Sequence, residues 1–318
     1  MRIIGTGSYL PKDVLSNDDL SKLVDTNDEW ISSRTGIKNR HLTRDENTSD
    51  LAKKAAQIAL KKAGVLAQDI DLIIVATSTP DTFIPGVAHQ VLKQLGIQKA
   101  MAFDVNSACT GFIYALDIAA SLMQARAFKY ALVIGAEVMS KLIDWTDRNT
   151  CVLFGDGAGA VVIEHSGKSL LYASCTTIPD EADTLISGGL AVNNPFCCEA
   201  QQSVTLKMKG QDVFKFAVSS VYESINEALS ETGLSIAEVD YVILHQANQR
   251  ILDYVAKKLK IANEKLYSNL AHTGNTSAGS IPIAIDEMQR EGLLKSGMKI
   301  VLTGFGAGLT YGTIILEW

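Results

Sequence analysis

Ala59-Leu60-Lys61-Lys62-Ala63-Gly64-Val65, continuing into Asp69-Ile70-Asp71-Leu72-Ile73-Ile74-Val75, recurs later in the chain. The second copy is Ala228-Leu229-Ser230-Glu231-Thr232-Gly233-Leu234, continuing into Glu238-Val239-Asp240-Tyr241-Val242-Ile243-Leu244. Each copy reads as a helix end capped by glycine, a short turn and a buried β-branched strand. A second pair lies at nearly the same offset: Lys129-Tyr130-Ala131-Leu132-Val133-Ile134-Gly135 resembles Lys299-Ile300-Val301-Leu302-Thr303-Gly304. Chance gives one such match; two at one offset point to a duplicated α/β unit. Parallel strands need helical crossovers, so each half is expected to form a sheet covered on both faces. The break between halves is placed near residues 165–170, giving domains 1–167 and 168–318.

Bulk composition narrows the function. The chain has 318 residues, 47% of them hydrophobic and 20% charged, which suits one large or two medium domains. A net charge of -6, with no basic tract interleaved with aromatics, argues against a nucleic-acid partner. The first apolar run is too short for a signal peptide, and no stretch reads as long and apolar enough to span a bilayer. No membrane association and a cytoplasmic location are therefore expected. The cysteines Cys109, Cys151, Cys175, Cys197 and Cys198 lack the paired spacing of a zinc site and are too few for a disulfide scaffold, so no metal is expected.

The duplication also places chemistry. In open α/β sheets ligands sit at the carboxyl ends of strands, and two packed halves would turn both sets of ends toward one centre. Cys109 lies in Asn106-Ser107-Ala108-Cys109-Thr110-Gly111, between the apolar run 101–105 and the apolar segment 112–122. That pattern reads as strand, tight turn and buried helix. A thiol at a helix N-terminus is expected to have a lowered pKa, although the same turn suits a small buried hydrophobe. His245 directly follows the strand of the second copy, where Ala76 follows the first. The Cys109 turn corresponds roughly to residues 271–279, which contain Asn275 and a competing histidine, His272. Cys109, His245 and Asn275 are thus expected to meet.

Gly304-Phe305-Gly306-Ala307-Gly308 and Gly155-Asp156-Gly157-Ala158-Gly159 look like nucleotide fingerprints, but both lead into extended runs instead of helices. The first would let backbone N–H groups approach a reacting oxygen. A cysteine, a histidine and an asparagine admit thioester or peptide hydrolysis and also acyl transfer with carbon–carbon bond formation. The duplicated α/β setting favours the second.

Several motifs in order carry a resemblance. Ala108-Cys109-Thr110-Gly111-Phe112, His245-Gln246-Ala247-Asn248, Gly274-Asn275-Thr276-Ser277-Ala278 and Phe305-Gly306-Ala307-Gly308 resemble β-ketoacyl-acyl-carrier-protein synthase III of the thiolase superfamily. Ile4-Gly5-Thr6-Gly7-Ser8-Tyr9-Leu10-Pro11, Asp28-Glu29-Trp30-Ile31, Arg34-Thr35-Gly36-Ile37 and Asp147-Arg148 extend it along the whole chain. The resemblance implies an α/β, thiolase-like fold: two duplicated halves packed as a five-layer αβαβα sandwich. It implies that Cys109 takes an acyl group from an acyl-CoA. Malonyl-acyl-carrier protein then loses CO₂ while His245 and Asn275 donate to its thioester carbonyl, and the enolate attacks acyl-Cys109. The backbone N–H groups of Cys109 and Ala307 would form the oxyanion hole. No cofactor is implied beyond the CoA thioester substrate.

The resemblance further implies that Thr26, Trp30, Arg34, Arg148, Gly210 and Asn248 line a CoA tunnel. It makes Lys215, Arg250, Lys257 and Lys258 a docking patch for an acidic carrier protein, and it implies a homodimer with the strand near residues 101–106 at the interface. Ile84 stands where relatives place a phenylalanine that closes the partner's acyl pocket; Thr110 and Ala307 depart from the common alanine and glycine. Residues 187–202, with Cys197-Cys198, match nothing interpretable and are expected to form a surface loop over the tunnel. A synthase of secondary metabolism, a Cys-His-Asn hydrolase and a non-catalytic acyl-CoA-binding protein remain the alternatives.

Overall fold

A computed structural model describes residues 1–166, 169–200 and 203–318. Among the described residues, ten strands form two five-stranded sheets. The first contains β1 (Arg2–Tyr9), β2 (Leu72–Ala76), β3 (Met101–Val105), β4 (Tyr130–Glu137) and β5 (Gly157–Glu164), in the order β1-β5-β4-β2-β3. The second contains β6 (Leu170–Thr177), β7 (Tyr241–Leu244), β8 (Leu266–Tyr267), β9 (Lys299–Gly306) and β10 (Thr310–Glu317), in the order β6-β10-β9-β7-β8. Order and pairing sense are the same in both. The first two ladders of each sheet are antiparallel and the last two parallel. The expected break at residues 167 and 168 falls on Gly167 and Lys168, which lie outside the described residues.

Among the described residues, six helices complete the layers. α1 (Thr48–Ala63) and α2 (Val87–Gln94) cover the outer face of the first sheet, packing Leu51, Ala55 and Val91 on Ile73, Val75 and Val162. α3 (Gly111–Arg126) lies between the sheets; Ile113 and Leu116 share one core with Leu72 and Ile74 on one side and Leu302 and Ile314 on the other. α4 (Gly210–Thr232) and α5 (Gln249–Leu259) cover the second sheet, and α6 (Ser280–Arg290) joins α3 in the middle. The result is the thiolase fold, five layers in the order αβαβα. Both sheets are covered on both faces, so Leu72–Ala76 is buried at every position and reads as an unbroken apolar run. The glycines at the ends of α1 and α4 sit in the left-handed region, Gly64 at φ 65° and Gly233 at φ 70°, as the duplicated motif required.

One expectation is corrected. Residues 108–126 are, by length and composition, apolar enough to cross a bilayer. The reason is the position of α3: with a sheet on either side it carries little polar face, and half of that segment is buried in the protein.

The two central helices begin with the same irregularity. Short 3₁₀ turns, Ala108–Thr110 and Ser277–Gly279, precede α3 and α6, and each turn contains a non-glycine residue in the left-handed region: Ala108 at φ 46° and Ser277 at φ 48°. Gly135 on β4 lets the second turn sit against the first sheet, since a Cβ there would lie 2.1 Å from the Ala278 carbonyl oxygen. Backbone on both sides of that contact cannot yield. Gly135→Ala is therefore expected to lower the denaturation midpoint by an amount equivalent to about 3 kcal/mol. A denaturation curve matching the wild type would contradict the close approach.

Candidate active site

Cys109, His245 and Asn275 line one cavity of about 120 Å³, together with Phe154, Phe305 and Gly306. Each arrives from a different element. Cys109 lies in the turn that opens α3, His245 follows β7, and Asn275 precedes the turn that opens α6. The Cys109 turn is tied to β10 by the Thr310 hydroxyl, which donates to Thr110 Oγ1 at 2.9 Å. Gly306 comes so close that a Cβ on it would lie 2.9 Å from the Cys109 Cβ. Asn275 is pinned through its backbone: its N–H donates to the Leu153 carbonyl at 2.9 Å, and its carbonyl accepts from Gly155 N–H at 3.0 Å. Its Oδ1 accepts from Ser277 N–H at 2.8 Å, which leaves the Nδ2 end to meet a ligand.

The electrostatics differ from the sequence expectation. Burial pushes the Cys109 thiol up to about 12, and the nearby Ser277 hydroxyl offsets only part of that. The expected lowering by a helix end does not prevail, because desolvation of a buried sulfur outweighs a partial dipole charge. The negative charge of nearby Glu137 adds to the rise. Burial acts on His245 in the opposite sense, taking it down to about 3, so the ring is neutral at physiological pH. His245 Nδ1 lies 2.7 Å from Ser280 Oγ, and its ring meets Phe305 edge-on at 5.1 Å.

A wider groove of about 680 Å³ opens to solvent and shares Leu153, Gly210, Phe214 and Asn248 with the inner cavity. Trp30, Arg34, Lys215 and Arg250 also line it. Arg34 and Arg148 both lie over the Trp30 ring, at 4.7 and 5.1 Å from its centre. A purine between Trp30 and Arg148 would need two contact layers of roughly 3.5–4 Å each, so Arg148 must swing aside to admit one. Thr26 is not among the lining residues; its hydroxyl is buried and has no hydrogen-bond partner. Lys215 lies 3.6 Å from Asp212, whereas Lys257 and Lys258 are exposed near the far end of α5, with Lys258 over the Tyr222 ring at 4.0 Å.

On the inner side of Cys109 is a further space of about 170 Å³, lined by Met139, Leu142, Ile186, Leu206, Ser277 and Ala307 among others. Ile84 is 90% exposed and lines neither cavity at the sulfur. His272 is set apart as well: its Nε2 lies 3.2 Å from Glu287 Oε1, outside the cavity lining. Of the loop 187–202, Ser187 touches the inner space, while Asn193–Asn194 pairs with Cys197–Cys198 as an exposed hairpin; Gln201 and Gln202 lie outside the described residues. Among the described residues no group of three or more His, Cys, Asp or Glu side chains is placed to hold a metal ion.

Two family models match the chain: 3-oxoacyl-[acyl-carrier-protein] synthase III over residues 103–177, and the C-terminal region of the same synthase over residues 229–318. Along its whole length the chain is 48% identical to the β-ketoacyl-[acyl-carrier-protein] synthase III of Clostridium acetobutylicum, covering 98% of that protein. The chain belongs to the 3-oxoacyl-[acyl-carrier-protein] synthase III family. The crystal structure of the Aquifex aeolicus synthase III superposes with a TM-score of 0.93 at 45% identity, covering 100% of this chain and 99% of that one. For the Pseudomonas aeruginosa synthase III the values are 0.92 and 40%, covering 99% of this chain and 97% of that one. The synthase is thus an acyltransferase-type condensing enzyme.

The sequence reading assigned no role in this synthase to Glu137, Ser277, Ser280 or Phe305, although Ser277 and Phe305 stood inside its motifs. A signal existed for two of them. Glu137 is a lone charge closing a buried apolar strand, and Ser277 opens the turn that the duplication sets opposite Cys109.

Proposed function

We propose that the synthase starts fatty-acid synthesis by decarboxylative Claisen condensation of an acyl-CoA primer with malonyl-acyl-carrier protein. Residues 1–167 would supply the nucleophile and residues 168–318 the two donors to the acceptor. The observation that carries this reading is the gathering of Cys109, His245 and Asn275 around one cavity reached from an open groove. Cys109 attacks the thioester of an acyl-CoA seated on Trp30, Arg34, Arg148, Gly210 and Asn248. The acyl chain occupies the inner space, and CoA departs. Malonyl-carrier protein docks on Lys215, Arg250, Lys257 and Lys258, whose charge complements an acidic partner.

The neutral His245 then acts as a hydrogen-bond donor. In this mechanism the Ser280 hydroxyl, which accepts from Gln246 N–H at 3.4 Å, donates its hydrogen to His245 Nδ1. That bond places the ring proton on Nε2. Nε2–H and Asn275 Nδ2–H hold the malonyl thioester oxygen as CO₂ leaves, and the enolate carbon attacks the acyl-Cys109 carbonyl, whose oxygen meets the N–H groups of Cys109 and Ala307. Loss of CO₂ drives the step, so the reaction needs no redox or metal cofactor. Two copies are proposed to join along the edge strand β3, where Met101, Phe83 and Ile84 are exposed, with Ile84 closing the partner's pocket. A cytoplasmic location fits this reading.

Intact-mass analysis with a mixed pool of acyl-CoAs, followed by malonyl-carrier protein, tests the proposal. One acyl adduct per chain and a β-ketoacyl-carrier product are expected. Free acid without that product would overturn it in favour of hydrolysis, and absence of any adduct in favour of simple binding.

A further inference from the structure

Glu137 closes β4 with no exposed surface and, among the described residues, no ion-pair partner within 4 Å. A carboxyl group in such a place costs several kcal/mol unless donors surround it. Donors do surround it. The Ser78 N–H reaches both carboxylate oxygens at 3.1 Å; the hydroxyls of Thr77 and Thr79 donate to Oε2 at 3.1 and 2.5 Å, and that of Ser277 to Oε1 at 3.2 Å. The Ser277 side chain also lines one space with Cys109, where it favours the thiolate against the larger effect of burial, and the Ser277 N–H holds Asn275. The Ser277 hydroxyl therefore stands between the Cys109 thiol and a proton acceptor, Glu137. The reaction read above requires the Cys109 proton to go somewhere, and His245 is committed to donating from Nε2.

We propose that Glu137, acting through the Ser277 hydroxyl, is the internal proton acceptor for the Cys109 thiol. Cys109 passes its proton to Ser277 Oγ while Ser277 passes its own to Glu137 Oε1, leaving a thiolate, an intact hydroxyl and a carboxylic acid. The thiolate attacks the acyl-CoA carbonyl, and CoA leaves as a thiolate that takes a proton from water. Glu137 keeps its proton while Cys109 is acylated. Condensation releases Cys109 as a thiolate, so the starting pair is restored. Glu137 and Ser277 are positioning residues in this scheme, since neither touches the substrate.

The arrangement has a signature that a purely structural role lacks. While the pair carries one negative charge, the fraction present as thiolate depends on the balance between two buried groups and not on pH. The other charged groups nearby are Lys141, which pairs with Asp81 at 3.8 Å, and Asp156, which accepts from Ser140; across the cavity His245 is neutral. The inference rests on the proposed function, but its test does not. Iodoacetamide alkylation of Cys109, followed by peptide mass, is expected to vary little from about pH 7 to 9 in the wild type. In Glu137→Gln and in Ser277→Ala the rate is expected to fall about tenfold for each unit the pH is lowered, because the thiolate then depends on loss of a proton to solvent. Glu137→Asp should restore part of the flat profile. A wild-type rate that itself rises tenfold per unit, or a flat profile in both variants, would overturn the relay. Ser277→Ala serves alone if Glu137→Gln does not fold. A wild type that alkylates with a flat profile but takes no acyl group would contradict the proposed function and leave the relay standing.

Discussion

Cys109→Ala is expected to take up no acyl group from any acyl-CoA and to lose condensing activity by at least ~10⁴-fold, as removal of a nucleophile does elsewhere. No other cysteine lines the cavity with His245 and Asn275. Cys151 is buried near Arg40, and Cys197 and Cys198 lie on the exposed hairpin. The alanine costs little in packing, since the sulfur borders open space on two sides and Gly306 already allows for the Cβ. The variant should therefore match the wild type in thermal midpoint and still bind CoA in the outer groove. Intact mass after incubation with acetyl-CoA reads the outcome directly. An adduct persisting in Cys109→Ala, mapped to another residue, would remove Cys109 from the chemistry.

His245→Ala and Asn275→Ala should separate the two half-reactions. Both should acquire the acyl group at a rate within a few-fold of the wild type, because neither side chain is needed to deprotonate Cys109. Both should lose release of CO₂ from malonyl-carrier protein by about 10²–10³-fold, the usual cost of removing one donor from a developing oxyanion. The double variant should lose less than the product of the two, since the donors act on one oxygen. The pH dependence carries a sign. Burial holds His245 down to about 3, so its charge does not change from mild acid to alkali. Decarboxylation should therefore show no inflection near the ordinary histidine value of about 6.5. Acylation that fails along with decarboxylation in His245→Ala would make His245 the base for Cys109 and contradict the relay through Ser277.

Much of the architecture was readable without coordinates, and the reason is local. Gly64 and Gly233 cap helices because the left-handed region is open to them, and the runs after them are apolar throughout because both faces of each sheet are covered. Those signals repeat, so they exposed the duplication and, through it, the strand ends where Cys109, His245 and Asn275 stand. Apolar runs were readable but ambiguous: α3 looks the same to composition whether it lies between two sheets or in a bilayer. The tunnel residues split along the same line. Trp30 and Arg34 sit on one short helix, Asp28–Thr35, and line the groove together, whereas Thr26, one residue before its N-cap, does not reach it.

The amino-acid order by itself pointed to the doubled α/β plan, the turn that presents the sulfur and the three side chains proposed for the site, because local patterns recur at corresponding places in the two halves. Only the tertiary structure decided their protonation. The thiol rises to about 12 and the imidazole falls to about 3 because packing strips both of water, and Ser277 meets Glu137, beside Cys109, across the interface of the two halves. Such energies sum over groups distant in the chain, and no window of sequence contains them.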